Sequence, residues 1–434
     1  MAHTEIRITG REIFLDTVLL LTIRLAIKNS KFKRMTLLGA VAKYRQLMWV
    51  ALLLPALTFS QIKYAENVTV AADRPGSYLP LLYGKSVGVV ANQTSMTENG
   101  HLVDYLLAND VNVKKVFAPE HGFRGTASAG EVIKDGKDVK TGLPIVSLYG
   151  SNKKPKPEQL ADIDVVVFDI QDVGARFYTY ISTLTYVMEA CAENGKKVIV
   201  LDRPNPNGYY VDGPVLKDGF ESFVGMHHIP VVHGMTIGEY AKMVNGEKWL
   251  SNGVQCQLDV VTCENWDHSM TYSLPVKPSP NLPNDDAITL YPSLCFFEGT
   301  TVSVGRGTDK PFQIIGAPYM QTGSYAFVPK ANEGAKYPKY EGEKCYGFAL
   351  NDFAQFYLNG LGELYMHWLV EAYNMAPEKD KFFTSFFEKL AGTDQLRKDI
   401  VAGKSVLEIR ESWQGEIDQF MKVRGKYLLY EDFE

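Results

Sequence analysis

The sequence predicts an α/β fold, a mostly parallel sheet covered by helices on both faces, followed by a smaller mixed α+β region. Three observations carry that expectation. Short, nearly unbroken Val/Ile runs recur from about Lys85, stretches with helical spacing of apolar residues separate them, and polar residues gather where each run ends. Strands buried on both faces read as continuous apolar runs rather than as alternation. Strands that alternate with helices build parallel sheets.

The elements follow in order. Ser86-Val-Gly-Val-Val-Ala-Asn-Gln93 reads as a buried strand, and residues 101–109 as a helix with Leu102, Tyr105, Leu106 and Leu107 on one face. Val113–Ala118, Pro144–Tyr149 and Asp164–Ile170 are the next strands. A long helix is expected from Tyr178 to Asn194, stopped by Gly195, the residue type that most easily takes the left-handed turn past a helix end. Lys197–Leu201 is a further strand. Together they describe a Rossmann-like domain. It lacks the dinucleotide fingerprint, because Ala91-Asn-Gln-Thr94 stands where a GxGxxG would follow the first strand, and Gly305-Arg-Gly307 is too short to cradle a pyrophosphate.

Pro275-Val-Lys-Pro-Ser-Pro-Asn-Leu-Pro-Asn284 carries four prolines in ten residues, a stiff extended stretch suited to a crossing between domains. Beyond it, amphipathic helices are expected around 348–358, 379–391 and 408–421. The expected organisation is an extension at 1–34, a secretory signal at 35–65, a Rossmann-like catalytic domain at 66–285 and a C-terminal α+β domain at 286–434.

Length and composition agree with two domains, since 434 residues exceed one ordinary core. Hydrophobic residues at 46%, charged residues at 22% and a mean hydropathy of −0.12 describe a globular chain. A net charge of −5 offers no concentrated Lys and Arg for nucleic acid. Near the N-terminus, Lys43 and Arg45 precede the apolar run Leu47–Phe59, which is followed by Ser60 and Gln61. That order of basic, apolar and small residues is a signal for export to the periplasm or beyond, and translation is expected to begin at Met35. The run is short for a membrane span, so none is expected once the signal is removed. Five scattered cysteines form no CxxC; Cys256 and Cys263 are spaced so that they could bridge neighbouring strands, leaving an odd thiol.

Ligands in open parallel sheets sit outside the carboxyl ends of the strands, so the residues there are the candidates. They are Asn92; Pro119-Glu-His-Gly-Phe-Arg-Gly125; Asp169-Ile-Gln-Asp-Val-Gly-Ala-Arg176 with Tyr178 and Tyr180; and Asp202-Arg-Pro-Asn-Pro206. Glu120, between a proline and His121-Gly122, is the foremost proton-transfer group, with His121 as a second such group or as its orienter. Asp169 and Asp172 are carboxylates that could accept a hydrogen bond from a substrate, or could simply form a local ion pair and cap a helix. Arg124, Arg203 and Arg306 are candidates to grip a carboxylate, because the guanidinium fork matches it with two parallel hydrogen bonds. A metal site would have to draw on His227, His228 and His233, but no HExxH is present and adjacent histidines point apart.

At these residues the chain resembles a known group, the bacterial exo-β-N-acetylmuramidases, long described as a domain of unknown function. The matching motifs are Ala91–Thr94, Pro119–Gly125, Asp169–Tyr180, Leu201–Pro206, Val232-His-Gly-Met235 and Pro278-Ser-Pro-Asn281, in order over nearly the whole chain after the signal. The resemblance implies a cleft between a Rossmann-like and a C-terminal domain. It also implies release of N-acetylmuramic acid from the non-reducing ends of peptidoglycan fragments, without metal or cofactor. Within the matched motifs, Glu120, His121, Asp169 and Asp172 fall to catalysis. Asn92, Arg124, Arg176, Tyr178, Arg203, Asn205, His233 and Asn281 fall to substrate binding, with Arg306 beside them. On that reading Glu120 is the acid and Asp169 or Asp172 lies near the acetamido group. The alternative is a non-catalytic cell-wall sugar-binding protein on the same scaffold.

Overall fold

Seven strands form the main sheet of the computed structural model, which describes residues 63–120, 122–124, 135–358 and 361–433. In chain order they are β1 (Ser86–Ala91), β2 (Asn112–Ala118), β3 (Gly136–Lys137), β4 (Pro144–Ser147), β5 (Val165–Asp169), β6 (Lys197–Leu201) and β7 (Gln257–Val261). Across the sheet they run β7-β6-β5-β1-β2-β4-β3. Every neighbouring pair is parallel except β3 with β4. The extension at 1–34 and nearly all of the signal at 35–65 lie outside the described residues, which belong to one compact unit, Gln61–Glu434.

Strand alternation explains the unbroken apolar runs. Val87, Val89, Val165, Val167 and Ile199 point to one face, where they pack with Tyr78 and with Leu102 and Leu106 of α1 (Leu102–Ala108). Their neighbours Val90, Val166, Phe168, Val198 and Val200 point to the other, against Ile181, Leu184 and Met188 of α2 (Tyr180–Glu193). That second core continues through α3 (Ile237–Gly246), α4 (Asp285–Leu294), α5 (Phe387–Ala391) and α6 (Val406–Arg424). Period-two side chains with apolar layers above and below leave no room for polar alternation. Gly195 takes φ +64 just past α2, as its position predicts.

The C-terminal half adds a three-stranded antiparallel sheet in which β10 (Cys345–Ala349) lies between β8 (Ile314–Ala317) and β9 (Tyr325–Phe327). The expected helix at 348–358 therefore starts later, at Asn351, because Phe348 and Ala349 pair with Ile315 and Ile314. The stretch 379–391 is helical only at Lys379–Lys381 and Phe387–Ala391. The last helix is longer than expected, Val406–Arg424: it begins two residues earlier, where Ser405 and Glu408 close a reciprocal capping box, and ends three residues later. No helix among the described residues is long and apolar enough to cross a membrane.

All five cysteines are free and buried. Cys256 and Cys263 do not face each other from neighbouring strands; they flank the two ends of β7. Seven residues of extended chain span about 23 Å, at ~3.3 Å per residue, against the ~7 Å limit between Cα atoms that a disulfide can bridge.

Candidate active site

The carboxyl edge of the sheet collects the expected side chains. Asn92 follows β1, Glu120 follows β2 by one residue, Asp169 ends β5, and Arg203 follows β6 by one residue. All four strands are parallel, so these positions share one edge. Beside that edge is a cleft of about 210 Å³, lined by residues of both halves of the chain.

Glu120 is half-buried in this cleft. Pro119 leads into it, and Gly122, at φ +79, donates its N–H to the Pro119 carbonyl at 3.1 Å, turning the chain directly after the strand. The Tyr149 hydroxyl donates to Glu120 Oε1 at 3.0 Å and the Thr179 hydroxyl to Oε2 at 3.3 Å, so both carboxyl oxygens are held. Tyr149 follows β4 and Thr179 is the residue before α2, so two strand ends and a helix start meet at one carboxyl group. His121 lies outside the described residues.

The proline stretch itself supplies part of the lining. Ser279, Asn281 and Leu282 line the cleft, and the Pro278 carbonyl accepts the Tyr178 hydroxyl at 2.8 Å. Asn281 Nδ2 donates to Gly334 O at 2.7 Å, which turns its amide into the protein. The stiff proline stretch thus lies against the strand ends, where Gln93 Nε2 also reaches the Pro278 carbonyl at 3.1 Å. Phe177, Tyr178, Tyr291 and Phe312 pack edge to face around the cleft floor, with Phe177–Tyr291 centroids 5.4 Å apart at 83°. Such contacts fix the rings and present flat apolar surface.

A second carboxylate shares the cleft. Glu298, on the turn Cys295–Gly299 after α4, pairs with Arg306 Nε at 2.9 Å. Arg306 sits between Gly305 (φ +76) and Gly307 (φ +80), and a Cβ at either would come within 2.7 Å of surrounding atoms. The short Gly-Arg-Gly motif is therefore a tight turn that presents an arginine. Glu298 and Tyr149 were not singled out from the sequence, because neither lies in a motif with a recognisable spacing.

The remaining candidates face inward. Asp169, fully buried, binds Arg203 through two hydrogen bonds, Nε to Oδ1 at 2.6 Å and Nη2 to Oδ2 at 2.9 Å; neither residue lines the cleft. Arg124 is held by Asp138 (2.9 and 2.8 Å) and by Asp104 (3.2 Å). Arg176 donates to four carbonyls, those of Pro214, Ile229, Leu390 and Ala391, all within 2.9 Å. It ties the first half of the chain to α5, and burial lowers its pKa to about 9. Asn92 Oδ1 accepts the Thr94 N–H at 2.8 Å and closes a turn. Asn205 Oδ1 accepts the Asn207 N–H, and its Nδ2 donates to Met235 O. Asp172 and His233 are buried behind the cleft, with His233 Nε2 3.8 Å from Asp172 Oδ2. Burial raises Asp172 to about 7 and lowers His233 to about 3.

The three histidines considered for metal do not converge. His227 packs on Trp249 with centroids 5.3 Å apart, and His233 faces Asp172. His228 joins Asp218 and Glu221 in an exposed cluster, none of which lines the cleft.

Comparison with known proteins decides the family. Residues 87–286 match the N-terminal model, and 289–430 the C-terminal model, of the exo-β-N-acetylmuramidase NamZ. The chain belongs to the NamZ family. Its similarity to the peptidoglycan β-N-acetylmuramidase NamZ of Bacillus subtilis (strain 168) is 41% identity over 376 residues, covering 81% of this chain and 89% of that protein. Two crystal structures of DUF1343 family proteins from Bacteroides fragilis NCTC 9343 resemble this member of the NamZ family throughout. One is 45% identical with a TM-score of 0.79, covering 85% of this chain and 100% of that one. The other is 30% identical with a TM-score of 0.68, covering 84% and 99%.

Proposed function

We propose that the cleft receives the terminal N-acetylmuramic acid at the non-reducing end of a peptidoglycan fragment and that Glu120 is the general acid for its release. The protein is an exo-acting glycosidase of the NamZ family, and peptidoglycan-derived saccharides are its substrates. The observation that carries the residue assignment is a single one. Glu120 is a carboxyl group half-exposed to a cleft walled by aromatic rings, with both its oxygens positioned by hydroxyl groups.

The chemistry needs such a group. As the bond from the anomeric carbon to the leaving oxygen breaks, its electron pair goes to that oxygen, a poor leaving group unless protonated. A positioned carboxyl supplies the proton, and water supplies the hydroxyl that replaces the leaving sugar. Tyr149 and Thr179 hold the carboxyl at the lining of the cleft. The rings of Tyr178 and Tyr291, the second packed on Phe312, line the cleft where the apolar face of a sugar would lie. The reaction is proposed to follow export, which the basic residues Lys43 and Arg45 and the apolar run 47–59 support.

The test is a pair of chromogenic glycosides, one of N-acetylmuramic acid and one of N-acetylglucosamine. The wild-type protein should hydrolyse the first, and Glu120→Gln should bind a natural muramoyl disaccharide as well as wild type while losing turnover of it. Binding by the wild type without any turnover would leave a sugar-binding protein and end the glycosidase reading.

A further inference from the structure

Four arginines near the carboxyl edge of the sheet could meet an anionic substrate, and the structure uses three of them internally. Arg124 is saturated by Asp138 and Asp104, Arg203 by Asp169 and the Met96 carbonyl, and Arg176 by four carbonyls. Arg306 differs. It lines the cleft, and 32% of its side chain is exposed although protein surrounds it. Glu298 Oε1 lies 2.9 Å from its Nε, an ion-pair contact without hydrogen-bond geometry, and its guanidinium carbon lies 5.8 Å from the centre of the Phe312 ring. Among the described residues its two Nη groups have no hydrogen-bond partner, so the edge of the fork that carries them opens on the cleft.

The surroundings hold that edge in place. Lys339 Nζ donates to the carbonyls of Phe297 (3.2 Å), Thr300 (2.5 Å) and Val302 (2.9 Å), bracing the turn that carries Glu298. Burial lowers the Lys339 amine to about 8, so it is cationic at neutral pH. Two cations, Arg306 and Lys339, thus stand beside Glu298, and the Glu120 carboxyl across the cleft also acts on Arg306. On the other side, the glycines at 305 and 307 fix the backbone of Arg306, and Gly299 allows the Glu298 turn to sit within 2.4 Å (measured from a Cβ built there) of the Phe387 backbone. A guanidinium so held has lost its conformational freedom before any ligand arrives, which favours binding.

We propose that Arg306 is the residue that selects the acidic sugar: its Nη edge takes the lactyl carboxylate of the terminal muramoyl residue, while Glu298 positions it through Nε. The assignment rests on the glycosidase reading above for the identity of the ligand. It gives the cleft a reason to prefer N-acetylmuramic acid over N-acetylglucosamine, from which it differs only by that lactyl ether. Glu298 is then a positioning residue, and Glu120 remains the group that touches the reacting bond.

Binding separates this proposal from the catalytic one. Calorimetric titration of wild type with free N-acetylmuramic acid and free N-acetylglucosamine should show a preference for the acid of about 10- to 100-fold, the range for hydrogen bonds between charged groups. Arg306→Gln should abolish the preference while leaving N-acetylglucosamine affinity within about twofold, which also reports that the cleft is folded. Arg306→Lys, which keeps the charge but not the fork, should retain only part of it. Glu298→Gln should raise KM for the muramoyl glycoside and spare kcat; a fall in kcat at constant KM would overturn its positioning role. The Arg306 assignment is overturned if wild type shows no preference for the acid. It is equally overturned if Arg306→Gln keeps the preference or weakens both sugars alike. Should wild type prefer the acid through Arg306 yet hydrolyse neither glycoside, the specificity assignment stands and the glycosidase reading alone fails.

Discussion

Asp172→Asn should make the protein more stable at neutral and alkaline pH, by an amount that grows between pH 3.8 and about 7 and is constant above it. Asp172 is 3% exposed; its Oδ2 accepts the Gly174 N–H at 2.7 Å, and its Oδ1 has no hydrogen-bond partner among the described residues. No cation answers its charge, because His233, 3.8 Å away, is itself kept neutral by burial down to about pH 3. Burial therefore raises the carboxyl from 3.8 to about 7. Each factor of ten in proton affinity is ~1.4 kcal/mol, so ionised Asp172 costs the folded state on the order of 4 kcal/mol. The sign follows from linkage: the folded state binds the proton more tightly than the unfolded chain, so stability is full below pH 3.8 and is lost as pH rises through 7. Asparagine keeps an acceptor for Gly174 and never ionises. Urea unfolding followed by tryptophan fluorescence at pH 4.5 and pH 8 should show the variant gaining about 3 kcal/mol on wild type between the two. Parallel pH curves for the two proteins would refute the reasoning, and with it the view that Asp172 is stranded without a cation.

Other consequences can be measured separately. Glu120→Gln should be nearly inactive on a natural disaccharide, with losses of about 10²- to 10⁴-fold, yet keep much of its rate with a nitrophenyl leaving group that departs unprotonated; equal losses on both would assign Glu120 to another role. Arg176→Met strands four buried carbonyls and unties α5, so a loss of about 3–5 kcal/mol in denaturant unfolding is expected; a wild-type midpoint would contradict the tie. Gly305→Ala forces a side chain into φ +76 and to 2.4 Å from Ile314 Cγ1. It should cost about 1–3 kcal/mol of stability and reduce the preference for the acidic sugar. Protein recovered from cells after export should begin between Gln61 and Glu66, read by intact mass; retention of residues 1–34 on a cytoplasmic protein would refute export.

The sequence by itself determined the sheet, its direction and the edge on which function lies. Val/Ile runs interrupted by helices allow one arrangement, because each run must be covered on both faces, and parallel strands bring Asn92, Glu120, Asp169 and Arg203 to the same edge. The strand Gln257–Val261 escaped, since at the edge of the sheet its Gln257 and Leu258 are partly exposed and its apolar run is short. What tertiary structure alone decided is which polar groups at that edge are spent internally. Asp169 and Asp172 are three residues apart and equally buried; one meets Arg203 from the next strand and the other meets only a neutral histidine. The resemblance assigns Arg176 to substrate binding, but carbonyls from residues 214, 229, 390 and 391 converge on it. Glu298 carries no motif, and it enters the cleft because α4 and a close-packed glycine turn place it there. The reason is physical. Apolar periodicity is a local property that survives in any short window of sequence, whereas whether a buried charge finds a partner depends on chain segments as far as 215 residues away that only the completed fold brings within 3 Å.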